Sequence, residues 1–263
     1  MKRIRRFATL SLLLVGVAAG WTYRAPILAL YHTYFANAAL PREETPEPDP
    51  ERYQELIGEL SERRIELATR YAQARTASEI SETVTASQRT LETFLPEMMR
   101  CWLGTPWDFN GTCQSPGSGK IACGYFVSTI LRDAGFRVQR VRLAQQPSQR
   151  IIRTFMPRKK MHIRAGLNYQ QFLSEVTSRG PGIRIVGLDR HVAFLVISES
   201  HEVNFIHSSG AAPYCVVDED SENAGSLQRS NYRVTGNLTR NPEIIHGWLT
   251  GAEWPTYRPN PKG

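Results

Sequence analysis

The chain has 263 residues, 41% of them apolar, and a formal net charge of +7. That length supports one sizeable domain with attachments, and the ordinary apolar fraction excludes a chain too polar to build a core. No internal repeat recurs at solenoid spacing, and residues 1–95 hold 12 Lys/Arg and 12 Asp/Glu, so the whole positive excess lies in 96–263.

The first predicted element is an export segment. "MKRIRRFATLSLLLVGVAAGW" places four basic residues before an uncharged apolar run from Phe7 to Trp21. Two versions stand for residues 1–24: a cleaved signal peptide, or an uncleaved anchor in the inner membrane with its basic end in the cytoplasm. The run is short of the roughly 20 residues a span needs, though "APILALYHTYF" can extend it. No cysteine follows to carry a lipid. Either version places residue 41 onward in the cell envelope, periplasmic or extracellular.

Residues 41–50, "PREETPEPDP", read as a stiff linker of prolines and acidic residues. A helical prefix follows over 51–99. Tyr53, Leu56, Ile57 and Leu60 fall on one face, and a second helix runs from about Ser81 to Met99. From residue 100 the texture changes to a main domain ending near 250. "GTPWDFNGTCQSPGSGK" is a loop. Tyr125 to Ala134 reads as a helix with Gly135 as its C-terminal glycine, and "FRVQRVRLA" alternates like a strand. Residues 168–178 form a helix stopped by "RGPG". "IRIVGL", "HVAFLVIS" and "VNFIHSS" are strands, "APYCVVDED" is a fourth candidate, and "EIIHGWL" is a strand or short helix. Residues 251–263 read as an irregular tail. Helices followed by an antiparallel sheet give an α+β fold.

Cys123 lies where the loop becomes a helix. A helix N-terminus stabilises negative charge, which favours a thiolate and supplies N–H groups for an oxyanion. A nucleophilic thiol needs a base. His191 opens one strand, and His207 ends the next, so the two can meet on one face. His191 then takes the proton, and His207 orients its ring.

The order "GTPWDFNG", a cysteine opening a helix, "HVAFLVI" and then "NFIHSSG" resembles the NlpC/P60 cysteine peptidases of papain-like fold. The resemblance covers Gly104 to Gly210. It implies a papain-like domain with Cys123 as nucleophile, His191 as base and His207 as orienter. It also implies hydrolysis of amide bonds in peptidoglycan peptides, without metal or organic cofactor. The chain departs from the family pattern in three places. Ala122 and Gly124 replace the usual Asp and Ser around the cysteine, the spacer before the histidine is long, and "GLDRH" replaces a Pro-Gly-Asp turn. Two alternatives remain open. One is an envelope binding module that keeps the fold without the reaction. The other is a papain-like amidase or acyltransferase with another substrate.

Trp107, Asp108 and Gln114 are the substrate-side candidates, Trp107 as a groove wall and Gln114 as a rival to the Cys123 N–H for the oxyanion. Asn204 and, more distantly, Asp218 rival His207, but Asn204 has the opposite strand parity. Cys101 and Cys113 flank the loop, and export permits them to pair. A Cys113–Cys123 pair would instead abolish the nucleophile, while Cys215 reads as core. His32, His162, His201 and His246 have no distinguishing context, and zinc-ligand spacings are missing. Residues 137–164 hold nine basic residues and no acidic one. They read as a solvated loop or as a site for an anionic envelope polymer. With Phe155 as its one large aromatic, the segment lacks a stacking platform, and no nucleic acid is expected.

Overall fold

The computed structural model describes residues 46–258. The export segment and the first part of the linker lie outside the described residues. Among those described, no helix is long and apolar enough to cross a membrane.

Two long helices open the fold, α1 (Pro50–Gln73) and α2 (Ala77–Arg100). Each starts at a cap that satisfies its free N–H groups. Asp49 accepts from the Arg52 N–H, and Thr76 with Glu79 forms a capping box. Tyr53, Leu56, Leu60 and Leu67 of α1 bury against Leu91, Leu95 and Met98 of α2 in the same core as the following domain. The Tyr53 hydroxyl donates to Asp133 at 2.9 Å, and its ring meets Trp102 edge-on. Residue 100 therefore marks a change of texture and not a break in packing.

The helix α3 (Cys123–Asp133) carries the predicted nucleophile at its first residue. Its far end closes as a Schellman turn: Phe136 N–H reaches Leu131 O, and Gly135 takes the left-handed conformation at φ 89°. The "FRVQRVRLA" stretch is mostly not a strand. Only β1 (Arg137–Val138) is extended, and the rest folds as the short helix α4 (Arg140–Ala144). The alternation was misleading because Arg140 is an inward residue. It is 9% exposed and donates to Thr129 Oγ1, Thr112 O and Cys113 O. The basic segment continues through α5 (Ser148–Phe155) and β2 (His162–Ala165), so it is structured.

After α6 (Tyr169–Ser178) come β3 (Gly182–Gly187), β4 (Val192–Ile197), β5 (Val203–Ser208) and β6 (Val216–Asp220). The chain ends in α7 (Gly225–Arg229), β7 (Tyr232–Asn237), α8 (Pro242–Thr250) and β8 (Glu253–Trp254). "EIIHGWL" is thus helical. The tail expected to be irregular contains β8, paired in parallel with β1, and Trp254 there meets Phe155 at a tilt with ring centroids 5.3 Å apart.

Six strands form one antiparallel sheet in the order β2-β7-β3-β4-β5-β6. The protein is α+β. Alternation divides the sheet residues between two faces. Val192, Phe194 and Ile206 join the core under α1–α3, whereas Ala193, Leu195 and Phe205 pack against α6 and α7.

Candidate functional site

The segment delivering Cys123 is rich in glycine but held at many points. Trp107 N–H donates to Tyr214 O at 2.7 Å, and Ala122 N–H to Gly111 O at 2.9 Å. Ser208 Oγ donates to Ile121 O at 2.7 Å, tying the residues just before the thiol to the end of β5. Gly111 is required by close approach, since a Cβ there would lie 2.6 Å from Ile121 N. Gly124 is required likewise: a Cβ would come within 2.2 Å of Ala144 O. The end of α4 therefore presses on residue 124, which leaves no room for a side chain there.

Cys123 and His191 line one cleft of about 540 Å³, together with Trp107, Phe109, Tyr125 and Arg190. A smaller recess of about 250 Å³ also touches both and extends towards Ser148. A larger surface cavity, about 770 Å³, lies at the turn between α1 and α2 and holds no cysteine or histidine. The predicted nucleophile and base therefore share the cleft of about 540 Å³. Phe109 is 80% exposed at the cleft rim, an apolar group presented to solvent.

His191 Nε2 lies 2.8 Å from His207 Nδ1, and His207 Nε2 lies 3.1 Å from Glu219 Oε2. A carboxylate only accepts, so His207 Nε2 carries hydrogen, and with His207 in its neutral form its Nδ1 accepts from His191 Nε2–H. His191 is left with Nδ1 as its lone-pair nitrogen. His207 is 1% exposed and cannot turn to water.

The charge states differ from the sequence expectation. The N–H groups of Val192, Gly124 and Cys123 favour a thiolate, but burial outweighs them and pushes the Cys123 thiol above its ordinary value. Burial, with the neighbouring His207, lowers His191 to about 3. The resting pair is therefore neutral thiol and neutral imidazole. The helix N-terminus does not acidify this sulfur, because desolvation of a thiolate costs more than the local dipoles return. Among the described residues, no hydrogen bond joins the Cys123 sulfur to His191.

The other expected residues divide. Trp107 walls the cleft against Gly210, where a Cβ would meet its ring at 3.0 Å. Asp108 does not face the cleft; it accepts from the Asn110 N–H at 2.9 Å and pairs with Lys120 at 3.4 Å. Gln114 is also elsewhere, accepting from Arg132 at 2.9 Å, so the oxyanion donor it was weighed against, the Cys123 N–H, has no rival from it. Asn204 and Asp218 bond each other at 2.9 Å on the face opposite His207, and Asp218 pairs with Arg100. All four cysteines are free thiols, with Cys101 and Cys215 buried. The proposed Cys101–Cys113 bridge is absent. Cys101 belongs to the core beside α2, while Cys113 lies under the Arg140 guanidinium that holds its carbonyl.

Glu219 and Arg190 were missed. Glu219 shares parity with Val217, the partner of His207 across β5 and β6, but that register is invisible without the pairing. The basic segment is partly structural: Arg137, Lys160 and Arg164 pair with Glu253, Glu243 and Glu175, and Arg140 is buried. Arg142, Arg150, Arg158 and Lys159 stay exposed. Among the described residues, no group of three or more His, Cys, Asp or Glu side chains is placed to hold a metal ion.

Comparison with known proteins finds no matching family model, no matching curated protein and no matching solved structure.

Proposed function

We propose that this chain is an exported thiol hydrolase of papain-like, NlpC/P60-type fold that cleaves an amide bond, with cell-wall peptides as its substrate. The observation that carries the reading is the contact chain Glu219–His207–His191, which directs a bare ring nitrogen of a histidine sharing a cleft with Cys123. The same order of a loop, a helix-opening cysteine and two strand histidines supports the family resemblance. The apolar run after four basic residues supports export.

In this mechanism the carbonyl carbon of the substrate enters the cleft above Cys123. Its sulfur attacks as the thiol proton moves to His191 Nδ1, so an S–C bond forms and the oxygen takes the negative charge. The Cys123 N–H at the start of α3 faces that oxyanion. The imidazolium is stabilised through His207 by Glu219. Collapse breaks the C–N bond, and His191 returns the proton to the departing nitrogen. Water then hydrolyses the thioester, giving a carboxylic acid and the free thiol.

The neutral resting pair and the missing sulfur–imidazole hydrogen bond favour a second reading, a binding module that retains the fold only. One experiment separates them. Purified full-length protein is assayed on peptidoglycan stem peptides beside Cys123→Ala. Amide cleavage that vanishes in a folded Cys123→Ala variant supports the hydrolase. Equal product from both proteins, or none from either, removes it.

A further inference from the structure

A second groove, of about 450 Å³, shares Arg190, His191 and Gly210 with the cleft of Cys123. It is lined by Arg190, His191, Gly210, Ser226 and Arg229, among others, and does not include Cys123. We propose that this groove receives the leaving group of the hydrolase reaction, and that the leaving amine carries a carboxylate bound by Arg190 and Arg229. The proposal rests on the hydrolase reading for its orientation. The departing nitrogen must take its proton from His191, so it sits against that ring. The chain beyond it then continues into a groove that touches the base but not the nucleophile.

The lining supplies the charge. Neither arginine pairs with a carboxylate among the described residues, and both are exposed. Arg190 also lines the cleft of Cys123, so it spans the scissile position. Arg229 folds back along its own short helix. Its guanidinium lies over Gly225, where a Cβ would come within 2.9 Å of Nη1. The helix α7 bearing it is fastened to the sheet by buried Arg233, which donates to Leu227 O and Gln228 O. The acidic residue of the groove, Asp189, is already engaged: Ser230 Oγ and Asn231 N–H both donate to Oδ2, at 2.8 and 2.9 Å. Two fork-shaped cations beside one satisfied carboxylate favour a planar anion such as a carboxylate.

The thiol side differs. Trp107, Phe109 and Tyr125 offer aromatic faces to the acyl portion. The site thus sorts its substrate into an apolar-contacting acyl half and an anionic amine half.

The test uses alanyl-alanine and alanyl-alanine amide, the free acid and its neutral counterpart, as product-like probes on the full chain. Calorimetric titration should show the acid binding at least tenfold tighter than the amide. Arg229→Gln and Arg190→Gln should each erase most of that preference, with unchanged melting. Equal affinity for acid and amide, a preference that survives the double variant, or no measurable binding of either in the millimolar range overturns the proposal. Binding needs no turnover, so acid-selective binding by a protein lacking Cys123-dependent cleavage keeps the anionic groove and removes the hydrolase. Cleavage with no acid preference does the reverse.

Discussion

His191 and His207 meet ring to ring, with Nε2 of the first 2.8 Å from Nδ1 of the second, and only His207 also reaches a carboxylate. With His207 neutral, donation therefore runs from His191 Nε2 to His207 and from His207 Nε2 to Glu219, which leaves His191 Nδ1 as the lone-pair nitrogen. Glu219→Gln replaces an obligate acceptor with a group that also donates. Nitrogen-15 spectra of the native protein should show both rings as Nε2–H tautomers. In Glu219→Gln the tautomers should mix, and amide cleavage should fall by about tenfold or more, since misdirecting a catalytic histidine is costly. Native spectra with an Nδ1–H tautomer at His191 would contradict the assignment.

The neutral resting pair has its own signature. With the thiol raised and His191 lowered to about 3, neither group titrates across the neutral range. Hydrolysis should therefore be flat in pH from moderately acid to mildly alkaline conditions. Iodoacetamide should label Cys123 slowly at neutral pH and faster as pH climbs past the ordinary thiol range. Rapid labelling that is already complete in weak acid would reveal a thiolate–imidazolium pair instead.

Helices α1–α3 and α6, strands β3–β5 and the meeting of His191 with His207 were legible because each rests on local pattern. A 3.6-residue stripe, a period of two, and a thiol at a loop-to-helix junction are all short-range signals. What was illegible depends on tertiary partners. Arg140 alternates with apolar residues as a strand residue would, and only Thr129 and two loop carbonyls reveal it as a buried hub. Glu219 looked like one acid in "VVDED" until β6 paired with β5. The acidity of Cys123 was misread because a helix N-terminus is visible in sequence, whereas the burial that opposes it is not.

Gly124 links α4 to the cleft. In Gly124→Ala the new Cβ would stand 2.2 Å from Ala144 O and 3.1 Å from its carbonyl carbon, so backbone must move. Overpacking of this kind costs about 1–3 kcal/mol. Ala144 and Gln145 line the cleft, so their displacement should also lower turnover. Thermal melting and peptide cleavage check both. A variant as stable and active as the native protein would show that α4 yields freely and does not set the glycine.

Arg140 should resist conservative exchange. Its Nε donates to Thr129 Oγ1 at 2.7 Å, its Nη2 donates to Cys113 O at 2.7 Å, and the guanidinium lies 5.0 Å over Tyr125. Lysine keeps the charge but not the fork. Arg140→Lys should lose about 1–3 kcal/mol, the range for stranding buried acceptors. It should also loosen the loop that carries Cys113, read as faster amide hydrogen exchange at Thr112 to Gln114. Unchanged exchange there would place the loop's rigidity in its backbone bonds alone.

Acid should weaken the fold through His191. Its imidazole is held at about 3, against an ordinary value of 6.5, because burial disfavours the cation. Between those values the unfolded chain binds a proton that the native state refuses, so stability rises with pH across the window. Stability from this group is complete above about 6.5 and is lost as pH falls towards 3, by at most about 1.4 kcal/mol per unit. Replacing the ring with an uncharged one of similar bulk, His191→Phe, removes the titration, and the acid slope of stability should shrink accordingly. Denaturant melts from pH 7 down to pH 4 measure the slope directly. Equal slopes in the two proteins would mean that His191 takes up its proton in the native state, which would undo the neutral-base assignment.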